Sequence, residues 1–116
     1  MRVELEGAEI YVRAGSTDMR KQINGLSVLV QEELKGDIFS GALFLFCNRS
    51  RRIVKVLWWD RTGFCLWQKR LEGRRKFPWP KDREGVRRID EVQLGMLLRG
   101  IDFWGEHREV KFSRVS

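Results

Sequence analysis

This chain is poor in the residues that build metal sites and in the long apolar runs that cross membranes. It has two cysteines and one histidine. Cys47 and Cys65 lack CxxC spacing, and His107 lies far from both, so a zinc site is not expected. The plain expectation is two buried, reduced thiols in a cytoplasmic protein. No apolar stretch approaches the roughly 18–20 residues that a membrane-spanning helix needs. The opening MRVELEGAEIYV has no basic segment followed by an unbroken apolar one, and no secretory signal is expected. Prolines are scarce as well, and both fall in one motif, FPWP at Phe77–Pro80. No Gly/Ser linker, internal repeat or low-complexity tract divides the chain. Its 116 residues are enough for one modest core, expected as a single domain over residues 1–104 with a polar tail at 105–116.

Acidic residues are scarce in one place only. The net charge is +7, but it is not spread evenly. Residues 1–48 sum to −2, residues 49–88 to +10, and residues 89–116 to −1. Solubility requires some net charge but no such clustering. A concentrated basic segment suits a polyanion, with nucleic acid the natural candidate. A solvated basic face, or an acidic protein partner, is the alternative. Four of the five tryptophans, Trp58, Trp59, Trp67 and Trp79, fall in this same segment.

The elements follow from periodicity. Residues 9–13, EIYVR, read as a short strand, followed by a turn at Ala14–Asp18 whose last polar residues can cap a helix. Met19, Ile23, Leu26, Val30 and Leu34 then recur at helical steps. Gly25 inside that pattern costs about 1 kcal/mol relative to alanine and suggests a close crossing against another element. The helix is expected to stop near Lys35-Gly36. GALFLFC at 41–47 reads as a strand covered on both faces, or as a buried edge of the core. Arg52–Asp60 is a second strand, with Val54, Val56 and Trp58 on one face and Ile53, Lys55, Leu57 and Trp59 on the other. A turn at Asp60–Gly63, with glycine placed for positive φ, leads to a third strand over Phe64–Arg70. Leu71–Glu84 looks irregular, since proline cannot sit in a central strand. Asp90-Glu91-Val92-Gln93 has the form of a capping box. It opens a helix from Glu91 to Arg99, with Leu94, Leu97 and Ile101 on its apolar side. The fold class is therefore α+β: an antiparallel meander of three or more strands, one long helix packed on it, and a short C-terminal helix.

Taken together, AGSTDMRKQINGLSVLV, FSGALFLFCNRSRRIVKVLWWDRTGFCLWQKRLEGRRKFPWP and QLGMLLRGIDFW resemble one family in order and spacing. They are similar to the small second-open-reading-frame accessory proteins (TnpB) of the insertion sequence 66 family of bacterial mobile elements. The likeness runs from about Ala8 to Trp104. One departure is Asp90, where the family more often has threonine or serine; all three residues can cap a helix. The resemblance implies a protein needed for transposition that works beside a separate, larger transposase carrying the DNA-cutting chemistry. It carries over no catalytic residues and no cofactor. The transposase of the same element and DNA are the implied partners, and homo-oligomerisation stays open.

The residues themselves support a binding role better than catalysis. Metal-dependent phosphoryl transfer needs converging carboxylates. Asp18, Asp60, Asp102 and Glu72 each have a local structural use, so no enzyme is expected. Trp58 and Trp59 are adjacent and must point to opposite faces, where aromatics usually pack. Trp79, between two prolines, is the best candidate for a displayed ring that stacks on a base. Arg49, Arg51 and Arg52 crowd the loop after the first meander strand; Lys69, Arg70, Arg74, Arg75 and Lys76 follow the third. A meander brings those two places to the same end of the sheet, so the groups should merge into one basic surface that Arg87 and Arg88 could extend. With no helix-turn-helix or zinc-finger signature, backbone contacts to DNA are expected rather than base reading.

Overall fold

A computed structural model of the chain describes residues 7–34, 37–80 and 85–105. The expected end of the first helix at Lys35-Gly36, part of the irregular stretch (81–84) and the tail from 106 lie outside the described residues.

The central element is β2, Leu43–Cys47, whose five residues are all buried. Its alternation feeds two separate cores. Leu43, Leu45 and Cys47 enter one cluster, and Phe44 and Phe46 enter the other. A strand apolar on every residue must be covered on both faces, and the neighbouring elements provide that cover. β3, Ile53–Asp60, pairs antiparallel with β2, and β4, Gly63–Arg70, pairs antiparallel with β3. This is the expected meander.

The sheet is larger than the meander. β1, Ile10–Arg13, lies beside β2 and runs parallel to it, with Ile10 opposite Leu43. Parallel neighbours require a crossover, and helix α1, Ile23–Leu29, provides it. β5, Val86–Ile89, pairs antiparallel on the outer side of β1. The result is a five-stranded mixed sheet in the order β4-β3-β2-β1-β5. α1 continues into a π-helical turn at Val30–Leu34, and Leu26 and Val30 bury against Phe44, Phe46 and Leu57. Helix α2, Glu91–Leu98, covers the other face through Leu94 and Leu97.

α2 forms as its sequence dictates. The Gln93 amide donates to Asp90 Oδ1 at 2.7 Å, and the Asp90 amide donates to Gln93 Oε1 at 3.0 Å. Such a cap contributes about 1 kcal/mol. Gly100, at φ +81, ends the helix. Ile101, expected on the buried side, is instead 46% exposed, because the chain turns away there.

The start of α1 differs from the sequence reading. Its N-cap is Gln22, with no side-chain cap. Asp18 closes a local turn instead, accepting from the Arg20 amide at 2.9 Å and pairing with the Arg20 guanidinium at 2.7 Å. Those bonds hold the Asp18 carboxyl down at about 2. The reason for the late start lies in β3. Lys55, only 2% exposed, donates from Nζ to the carbonyls of Met19 (2.8 Å) and Lys21 (2.9 Å). It holds the 19–21 backbone as a loop over the sheet, and burial lowers its pKa. Met19 still packs on the helix-side cluster, though from that loop. Gly25 does not mark the crossing of another element: the nearest atoms a Cβ there would meet, at 3.2 Å, belong to the side chain of Lys21, four residues earlier in the same segment. In the β3–β4 hairpin the left-handed residue is Arg61, φ 54, and not Gly63.

Trp58 and Trp59 divide between the faces. Trp58 joins the α2-side cluster, and Trp59 meets Phe64 and Phe39 edge-on, at ring-centroid distances of 5.0 Å in each case. The two cysteines also part company. Cys47 is buried, and burial pushes its thiol up to about 12. Cys65 is only half-buried, because β4 is a sheet edge.

Two outcomes follow from this packing. Lys55→Ala should lower the free energy of unfolding by at least about 2 kcal/mol, since two carbonyls lose their donor and a buried stem is removed; urea denaturation measures this. In dilute native protein at pH 8, Cys65 should react with a chromogenic disulfide reagent while Cys47 reacts only after unfolding.

Candidate nucleic-acid interface

The loop between β2 and β3 is built by one side chain. Asn48 Oδ1 accepts from the amides of Arg52 (2.9 Å) and Ile53 (3.0 Å), and Asn48 Nδ2 donates to Ser50 Oγ (3.1 Å). The Arg51 amide donates to the Asn48 carbonyl at 3.0 Å. Closing so short a turn puts Arg51 at φ 64, a left-handed conformation that costs a non-glycine residue roughly 1 kcal/mol.

The segment after β4 is tied to that loop. The Leu71 amide donates to the Arg52 carbonyl, and the Phe77 amide to the Arg51 carbonyl, both at 2.8 Å. Beyond Phe77 the chain crosses the end of the sheet. Trp79 reaches β1, where its indole N–H donates to the Arg13 carbonyl at 2.8 Å. The Trp104 indole N–H donates to the Pro78 carbonyl at 3.2 Å. Residues 71–80 are therefore a strap. Its two aromatics are pegs driven into the α2-side core: Phe77 is 1% and Trp79 4% exposed. Trp79 thus departs from expectation. It is not displayed for stacking, because the polar atom of its ring is committed to the backbone of β1 and its apolar body fills the core. The prolines keep the strap extended but do not keep its rings outside.

The cations stand on this framework. Opposite Ile53 in β3 lies Arg70 of β4, and opposite Val54 lies Lys69. The 49–52 and 69–76 groups therefore meet on one rim, at the end of the sheet where β3 begins. Those two segments hold eight cations and one acid, Glu72. Three of the eight have internal partners. Arg70 pairs with Glu72 at 3.0 Å, Arg52 donates to the Leu71 carbonyl at 3.2 Å, and Lys69 donates to the Leu98 carbonyl at the end of α2 at 3.0 Å. Arg49, Arg51, Arg74, Arg75 and Lys76 make no ion pair with any other described residue. Four of these five are exposed, and Arg51 is half-buried.

One further cation adjoins the rim that charge clustering in the sequence did not reveal. Arg99 ends α2 beside Lys69's acceptor, and a Cβ on the next residue, Gly100, would stand 3.7 Å from the Lys76 carbonyl. It sits in a segment of near-neutral charge, so no local count could find it. Arg87 and Arg88 do not extend the rim: β5 is the opposite edge of the sheet, with three strands between it and β4. Arg88 there faces Glu9 at 3.4 Å.

The four carboxylates weighed for catalysis do not converge. Asp18 binds Arg20, Asp60 ends β3 at the far end of the sheet, Glu72 binds Arg70, and Asp102 accepts from the Trp104 amide at 3.0 Å. The arrangement can hold an anion or a line of phosphates along an exposed edge.

Comparison with known proteins agrees with the sequence reading. The family model described as IS66 Orf2 like protein matches residues 8–108. The chain is 41% identical over 98 residues to the uncharacterized protein y4hO of Sinorhizobium fredii, covering 84% of each chain. It is 30% identical over 97 residues to the uncharacterized protein y4jC of the same organism, covering 84% of this chain and 82% of that one. No solved structure matches.

Proposed function

The chain belongs to the IS66 Orf2-like family of accessory transposition proteins, and from that membership we propose that it is a non-catalytic, cofactor-free protein that grips DNA through the rim formed by residues 49–52 and 69–76. The observation that carries this reading is the set of five rim cations that make no ion pair with another described residue. Like charges held close together by backbone hydrogen bonds and buried rings repel one another. A phosphate backbone removes that repulsion and releases its own counter-ions.

The rim bears long cationic side chains on a turn and a strap, with no helix shaped for a groove among the described residues. It suits phosphate contacts that position DNA without reading bases. In this reading the protein steadies or presents DNA to the element's transposase, which makes the cuts.

A second reading replaces DNA with an acidic face of the transposase. Ile101, 46% exposed beside the Gly100–Lys76 contact, supports it, since protein interfaces mix apolar anchors with charge. Co-purification with the transposase after nuclease digestion separates the two: retention supports protein docking, and loss supports DNA.

In a fluorescence-anisotropy titration with a DNA duplex, five phosphate contacts should give a log–log salt slope of about −4 to −5. The double variant Arg74→Ala, Arg75→Ala should reduce that slope by about 2 and weaken binding equally for unrelated sequences. No binding to duplex or single strand at low salt would defeat direct DNA binding. Arg51→Gly should weaken binding while leaving the melting temperature about unchanged, because relief of left-handed strain offsets the backbone entropy that glycine adds.

A further inference from the structure

The two edges of the sheet are built differently. β5 is four residues long and carries Arg87 and Arg88. A short, charged edge resists pairing with another chain. β4 is eight residues long. It contains no proline, and its register against β3 runs unbroken from Gly63 to Arg70, so no bulge twists it away. Its charge is confined to the last two residues, Lys69 and Arg70. Phe64, Cys65, Leu66 and Trp67 are all only half-buried, on both faces at once. Among the described residues no strand pairs with its outer side.

The direction of its backbone can be read from the ladder. The Leu71 amide donates to the Arg52 carbonyl, which continues the Ile53–Arg70 register by one step. In an antiparallel pair, hydrogen-bonded positions alternate. Odd-numbered residues of β4 therefore bond inward to β3. Phe64, Leu66, Gln68 and Arg70 point their amides and carbonyls outward.

From this geometry we infer that β4 is the pairing edge of a symmetric dimer, its occupant being β4 of a second copy. A two-fold axis perpendicular to the sheet keeps each face on its own side, so paired residue numbers must have the same parity. An axis through Trp67 meets that condition. It sets Trp67 against its own copy at a non-hydrogen-bonded position, where side chains come closest. Leu66 then faces Gln68, Cys65 faces Lys69, and Phe64 faces Arg70. Each charged residue meets an uncharged one, and Phe64 offers its ring to a guanidinium. Aromatic cross-strand pairs of this kind favour pairing. The two basic rims point in opposite directions along the seam, which keeps two chains of charge +7 from placing their densest charge together. This pairing does not depend on DNA binding, and either reading can fail without the other.

Amide exchange on the full chain tests it without any mutation. The outward amides of Phe64, Leu66, Gln68 and Arg70 should exchange at least about tenfold more slowly when concentration is raised from the low to the high micromolar range. Sedimentation velocity should show the mass rising over the same range from 13.8 kDa to twice that value. Gln68→Pro removes an outward donor and no β3 bond, so it should give a folded monomer that keeps its DNA affinity per chain, while Gln68→Ala stays dimeric. A wild-type monomer at several hundred micromolar, or a dimeric Gln68→Pro protein, would overturn the inference. So would protection of those amides in a monomer at every concentration, or only after transposase is added, since each means that something other than a second copy covers the edge. If Gln68→Pro does not fold, the exchange measurement on the native chain decides alone.

Discussion

Two backbone hydrogen bonds, from Leu71 to Arg52 and from Phe77 to Arg51, hold together parts of the chain that their charge would drive apart. Between those bonds run Arg74, Arg75 and Lys76, on the same rim as Arg49 and Arg51. Nothing in Coulomb's law favours that assembly in the absence of an anion. What outweighs it is the burial of Phe77 and Trp79, each worth about 2–3 kcal/mol of apolar transfer, together with the indole bond to Arg13. Aromatic content and positive charge are thus two halves of one device. The rings fix the strap so that the cations cannot drift apart.

That device needs a rigid floor, which the sheet supplies from both sides. β2 sends alternate residues into two cores, one under α1 and one under α2 and the strap. Cys47 at its end accepts from the Thr17 amide at 2.7 Å, so the turn after β1 is fixed to the same corner. Lys55 does comparable work on the other face by holding the loop before α1. A lysine there makes backbone contacts that a leucine could not, and it fixes where the helix can begin.

Much of this was legible from residue order. The capping box at Asp90, the fully apolar β2, the face alternation of β3 and the convergence of the two cationic groups all follow from local rules that the fold obeys. What escaped was decided by partners distant in sequence. β1 runs parallel to β2 because α1 crosses between them, a choice that four residues cannot announce. β5 carries two arginines in four residues and reads as charge rather than strand until β1 lies beside it. Trp79 looked displayed because proline excludes it from a ladder. Exclusion from a ladder does not place a ring in solvent, and the deciding contact, the Arg13 carbonyl, lies 66 residues away. Helix α1 starts late for the same kind of reason, since its entry is held by a lysine 34 residues further on.

The indole of Trp104 bonds to the Pro78 carbonyl, so the chain passes its last described turn against the strap itself. The first described residues, by contrast, lead into β1 at Ile10, at the opposite end of the sheet, where Ile10 meets Ile89. The two ends of the domain are therefore unequal as attachment points. An affinity handle or fluorophore joined ahead of Gly7 would leave the cationic edge open, whereas one joined after Gly105 would begin beside it and compete for the same space.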